Sequence, residues 1–94
     1  MDMDTVEAGG ILDALLRWYR EMTFDQLLAA VNRYDWTDVC MPTLVVYNVR
    51  TRVWWADGVS HTSIRVDVEV DDGDYGDQVC GSLVMDPHGQ FVGE

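Results

Sequence analysis

The sequence predicts a two-layer α+β domain, with two N-terminal helices packed on one face of a four- to five-stranded antiparallel meander sheet. Three observations carry that expectation. Apolar residues recur at three- and four-residue spacing as far as about residue 34, then alternate with polar ones after Pro42. The strand-like runs are joined by short turn-forming stretches, which leave no length for crossover connections and favour antiparallel neighbours. Finally, 94 residues that are 48% apolar, with four Trp, four Tyr and two Phe, suffice for one core. A single domain over residues 1–94 follows, with a helical hairpin over about 5–34 and a sheet over about 43–92.

The first helix is expected to open on a capping box, Asp4 accepting from backbone amides and Glu7 reaching back. Gly9 and Gly10 weaken its first turn, so a firm start is expected near Gly10. Ile11, Leu12, Leu15, Trp18, Tyr19 and Met22 then form a stripe wide enough to lie on a sheet. Thr23 and Gln26 form a second capping box, ahead of an apolar face of Phe24, Leu27, Leu28, Val31 and Tyr34. Asp35–Thr43 reads as a connecting loop that contains Trp36.

Thr43–Asn48 reads as the first strand, turning through Val49-Arg50-Thr51 into a partner over Arg52–Ala56. Asp57-Gly58 is a strong hairpin signal, because both residues tolerate positive φ. A long strand is expected from Val59 to Asp71, with Ile64, Val66, Val68 and Val70 on one face and Arg65, Asp67, Glu69 and Asp71 on the other. Asp72–Asp77 is a loop, Gln78–Met85 a strand, Asp86-Pro87-His88-Gly89 a turn, and Gln90–Val92 a short final strand.

Charge narrows the function. Seventeen acids face six bases for a formal net charge of -11; all the bases are Arg and there is no Lys. Such a surface repels nucleic acid and anionic membranes and attracts basic partners. A GC-rich genome or a salt-rich cytoplasm would give the same bias without any functional meaning. No run approaches the ~18 apolar residues of a membrane span, and the start Met1-Asp2-Met3-Asp4 is acidic where a signal peptide is basic. A soluble protein of the cytoplasm (the host's, if phage-encoded) is the expectation. Cys40 and Cys80 are then expected to be reduced thiols packed as small hydrophobes.

Asp67, Glu69, Asp71, Asp72, Asp74 and Asp77 place six carboxylates in eleven residues with no base among them. Alternate strand residues lie about 6.5–7 Å apart on one face, a spacing similar to that of successive phosphates along a nucleic-acid strand. The ladder can therefore imitate a phosphate backbone to a basic protein, or be simply the solvated face of a half-buried strand. Trp54 and Trp55 are adjacent on a strand and must point to opposite faces, so one can enter the core while the other is either an interface anchor or covered by a neighbouring strand or the C-terminal turn. Arg50, Arg52 and Arg65 are expected to balance part of the acidic face.

Other chemistry finds little support. The acidic run fails the EF-hand pattern, having Asp72 where Gly belongs and Gln78 where Glu belongs. His61 and His88 form no short-spaced ligand set with Cys40 or Cys80. There is no phosphate-binding glycine motif, and without Lys there is no Schiff base. No enzyme activity, cofactor or metal is expected. In size, charge and one-domain architecture the chain resembles small acidic inhibitors of phages and mobile elements, anti-CRISPR proteins among them, and bacterial toxin-immunity proteins. That likeness implies a non-catalytic inhibitor that occupies a basic, nucleic-acid-binding surface of a partner protein, without contacting nucleic acid or membrane itself. The expected partner-binding residues are Asp67, Glu69, Asp71, Asp72, Asp74, Asp77, Trp54 and Trp55. The alternative is an assembly subunit, a homodimer for instance, that associates with itself through a sheet edge, its acidity set by the host.

Overall fold

A computed structural model describes residues 5–56, 62–73 and 78–92. It contains α1 (Thr5–Arg20), α2 (Phe24–Ala30), β1 (Tyr34–Cys40), β2 (Val46–Trp55), β3 (Ile64–Asp71), β4 (Gln78–Met85) and β5 (Phe91–Val92). The strands form one antiparallel sheet in the order β1-β2-β3-β4-β5, and α1 packs on β3 and β4. This is the expected α+β meander with N-terminal helices. The expected Asp57-Gly58 hairpin, the start of a strand at Val59, and Asp4, Asp74 and Asp77 fall outside the described residues.

The core follows from period-two alternation in the sheet. Ile64, Val66, Val68 and Val70 are fully buried, and Tyr47, Val49, Val53, Leu83 and Met85 join them from the flanking strands. Ala8, Leu12, Tyr19 and Leu27 close the core from the helices. Burying each large apolar side chain contributes about 1.5–3 kcal/mol. Gly81 marks a close approach of the two layers, since a Cβ there would lie 2.8 Å from Cδ1 of Leu16. The Thr23 capping box forms as expected: Gln26 N–H donates to Thr23 Oγ1 at 3.2 Å, and Thr23 N–H donates to Gln26 Oε1 at 2.8 Å.

Several expectations are corrected. The helical hairpin ends at Ala30, and residues 34–40, expected as helix end and loop, form strand β1. Likewise Val49-Arg50-Thr51 does not turn: β2 runs unbroken from Val46 to Trp55. The reason is visible in β2, where Val49, Thr51 and Val53 point inward and Arg50 and Arg52 outward, so the alternation passes straight through. Val-Arg-Thr also lacks a residue that prefers a turn. The turn lies instead at Met41–Val45, where Pro42 presets its φ. α1 also starts at Thr5, upstream of the glycine pair. Glu7, expected to cap it, accepts from Tyr47 Oη at 2.8 Å and from Thr43 Oγ1 at 3.0 Å, tying the helix start to that turn.

The β1–β2 and β4–β5 turns share one geometry. Met41 N–H donates to Val45 O at 3.0 Å and Leu44 N–H to Met41 O at 2.8 Å. Asp86 N–H donates to Gln90 O at 2.8 Å and Gly89 N–H to Asp86 O at 3.0 Å. The left-handed position is Gly89 (φ 82°) in one and Leu44 (φ 69°) in the other. That conformation costs a side-chain-bearing residue about 1–2 kcal/mol, part of which a glycine gives back through unfolded-state entropy. Leu44→Gly is therefore expected to stabilise the domain by about 0.5–1 kcal/mol, read as a raised urea midpoint at unchanged slope. An unchanged or lowered midpoint refutes the strain.

Tyr19 gives a second prediction. Its phenol pKa is raised above the ordinary 10.0, first by burial and then by the nearby Asp35 carboxylate, against a hydrogen bond with Thr51 that works the other way. Because the folded-state pKa lies above the unfolded one, Tyr19 holds its full contribution below about pH 10 and loses it as pH rises through the folded value. Alkaline unfolding curves of Tyr19→Phe should fall less steeply above that pH than those of the parent protein; equal slopes would count against it.

Candidate functional site: the uncovered sheet face

The helices cover one face of the sheet, and the strand register defines what the other presents. Opposite β2–β3 residues on that face are Asn48 and Asp71, Arg50 and Glu69, Arg52 and Asp67, and Trp54 and Arg65. β1 adds Tyr34, Trp36, Asp38 and Cys40, set against Arg52, Arg50, Asn48 and Val46. β4 adds Gln78, Cys80, Ser82 and Val84. A groove of about 520 Å³ crosses this face, lined by Tyr34, Arg50, Arg52, Arg65, Glu69 and Ser82 among others.

The carboxylate ladder is interleaved with arginines. Arg65 Nε lies 2.8 Å from Asp67 Oδ1, and Trp54 Nε1 donates to Asp67 Oδ2 at 2.8 Å. One nitrogen of Arg50 reaches Asp71 at 2.6 Å and Glu69 at 3.2 Å. Asp71 Oδ1 also accepts from Asn48 Nδ2 and from the Gly73 amide. The expected balancing by Arg50 and Arg65 is therefore present, and Asp67 and Asp71 are built into the sheet. Across the described part of this face three arginines meet four acids (Asp38, Asp67, Glu69 and Asp71), so it is close to neutral.

The aromatics lie among these charges. Trp54 stands on the uncovered face while Trp55 packs against the core, as adjacent strand residues must. The Arg52 guanidinium sits 4.0 Å above the Trp54 ring and that of Arg65 5.9 Å from it, and Arg50 lies 6.0 Å from the Trp36 ring. These distances fall within cation–π range. Trp36 is 63% exposed and Tyr34 59%. Reading Tyr34 as the end of the second helix and residues 35–43 as a loop missed this pair, although Tyr34, Trp36 and Asp38 already show period-two spacing.

The remaining candidates disperse. Asp72 follows the end of β3, and His88 sits in the β4–β5 turn, its amide donating to Asp86. Cys40 and Cys80 are free and exposed, which corrects the expectation that they pack inside. Both occupy the uncovered face, three strand spacings apart across the sheet and four residues apart along it, roughly 20 Å in all and well outside disulfide range. Among the described residues no three His, Cys, Asp or Glu side chains converge as a metal site, and no helix is long and apolar enough to cross a membrane. No family model matches the chain, and the curated proteins and solved structures give no significant match.

The two ladder acids differ in what they hold. Asp67→Ala strands the Trp54 N–H and frees Arg65, and is expected to cost about 1–3 kcal/mol. Glu69→Ala removes a half-exposed partner of Arg50 and should stay within about 0.5 kcal/mol. Denaturant titration of both variants checks the contrast, and equal losses would remove the distinction between the two acids.

Proposed function

We propose that the protein is a non-catalytic binding module that inhibits a basic, nucleic-acid-binding partner by occupying its surface with the uncovered sheet face. The observation that carries this reading is the composition of that face: Tyr34, Trp36 and Trp54 with Arg50, Arg52 and Arg65, assembled on one rigid sheet and left open by the helices. Trp, Tyr and Arg are the residues that dominate binding hot spots. Their stacked and paired arrangement lowers the entropy lost on binding.

Charge divides the work. The face itself is near neutral, while the whole chain carries -11. The net charge draws a basic partner over long range and raises the association rate, and the aromatic and arginine contacts hold it. Asp67 and Asp71 act as supports for Trp54 and Arg50, leaving Glu69 and Asp38 as the acids of this face most available to a partner's cations. Asp72 extends the acidic character beyond β3.

The test is capture from host lysate by the immobilised protein, eluted in steps from roughly 0.05 M to roughly 0.5 M salt. A basic nucleic-acid-binding protein should be retained and released as salt rises. Trp36→Ala should weaken that complex about tenfold or more, as loss of a hot-spot residue does. Added nucleic acid should compete with it. Retention that is indifferent to salt and to Trp36→Ala would overturn this reading.

A further inference from the structure

We infer that the outer edge of β1 pairs with the same edge of a second copy, joining two sheets into one ten-stranded sheet about a two-fold axis. The backbone phase comes from the hydrogen bonds at both ends of the β1–β2 ladder. Met41 N–H donates to Val45 O, and Val53 N–H donates to Arg33 O. In the observed register, Asp35, Thr37 and Val39 between them therefore spend their amide and carbonyl groups on β2. Tyr34, Trp36, Asp38 and Cys40 point theirs outward, and no described strand pairs with that edge.

An outward-facing set of even-numbered residues can pair with itself antiparallel only in certain registers. Centring on Thr37 sets Tyr34 opposite Cys40 of the second copy and Trp36 opposite its Asp38, so all four outward residues are paired. On the other face the same register sets Thr37 opposite Thr37 and Asp35 opposite Val39. No two like charges meet, and a Thr–Thr pair is favourable. Moving the centre to Asp38 or to Asp35 would set aspartate against aspartate. Moving it to Trp36 leaves Cys40 outside the paired outward set.

Asp35 and Asp38 are the edge-blunting residues of this strand, and both find uncharged partners in the register centred on Thr37. The strand is seven residues long, six of them exposed, and it contains neither Pro, Gly nor Lys. Natural sheets blunt their edges with such residues or with bulges and short strands. Five of the exposed large hydrophobics belong to the β1–β2 hairpin: Tyr34, Trp36, Leu44, Val45 and Val46. On the far side of the sheet, β5 pairs with the Val84–Met85 end of β4.

The experiment needs no other protein, so its result is independent of the proposed inhibitor function. Sedimentation equilibrium or light scattering should show the mass of two 10.7 kDa chains. The dimer should strengthen as salt screens the repulsion between two copies of -11, opposite in sign to binding of a basic partner. Asp38→Pro removes an outward N–H and no β1–β2 bond, so it should give a folded monomer. Thr37→Cys with Cys40→Ser and Cys80→Ser places two thiols across the axis at a Cα separation of about 4.5 Å, and should form a reducible cross-linked dimer. A monomer at every salt concentration overturns the inference. So does a dimer that survives Asp38→Pro and gives no cross-link.

Discussion

The alternation of β3, with Ile64, Val66, Val68 and Val70 fully buried and Arg65, Asp67, Glu69 and Asp71 on the opposite side, is the constraint to which the other elements answer. A slip of one residue would move four aliphatic side chains to the uncovered face and three carboxylates beneath α1. The cost of burying unpaired carboxylates rules that register out. β2 and β4 are locked to β3 along their paired lengths, and the helices follow because Leu12, Leu27 and their neighbours have only the valine face to cover.

The same constraint explains how a chain of net charge -11 presents a nearly neutral face. β3 must carry polar residues on its outer side, and here they are mostly acids. β2 sets Arg50 opposite Glu69 and within reach of Asp71, while Arg65, on β3 itself, meets Asp67. Each pair on a solvated face contributes little alone. Here the pairs share members with the Trp54–Asp67 hydrogen bond and the Arg52–Trp54 stack, which fixes the orientation of the aromatic surface. Stability and the proposed recognition thus draw on the same side chains, and Asp67 belongs to the first role more than to the second.

Legibility in the sequence followed the strength of local signals. β3, β4, the Thr23 cap and the Asp86–Gly89 turn were plain, because strict alternation and turn residues agree there. β1 was not, since it buries almost nothing and mixes Trp36 and Tyr34 with Asp35 and Asp38, so hydrophobic periodicity had little to report. The β1–β2 turn was hidden for a related reason: its left-handed position holds Leu44 in place of glycine. Of the site, the acids and Trp54 were visible as residue types. That Arg50 and Arg65 would balance part of the ladder was expected as well; which acids Arg50 meets followed only from register, and the importance of Trp36 only from the existence of β1.

The features that local rules fail to predict gather on one hairpin. Leu44 accepts backbone strain while its side chain is 83% exposed, so no burial on the described chain offsets the cost. Thr43 beside it is held by Glu7 from α1, which keeps the turn in place. β1 carries exposed aromatics with its outward backbone groups unpaired by any described strand. Strain and exposed apolar surface persist where surrounding structure holds them and something else benefits. A hairpin whose only task was to complete the core would bury more than β1 does and would favour glycine at residue 44. Its sequence instead fits a strand whose remaining hydrogen bonds and side-chain contacts are made with another polypeptide, and the self-complementary register about Thr37 makes a second copy the polypeptide that fits.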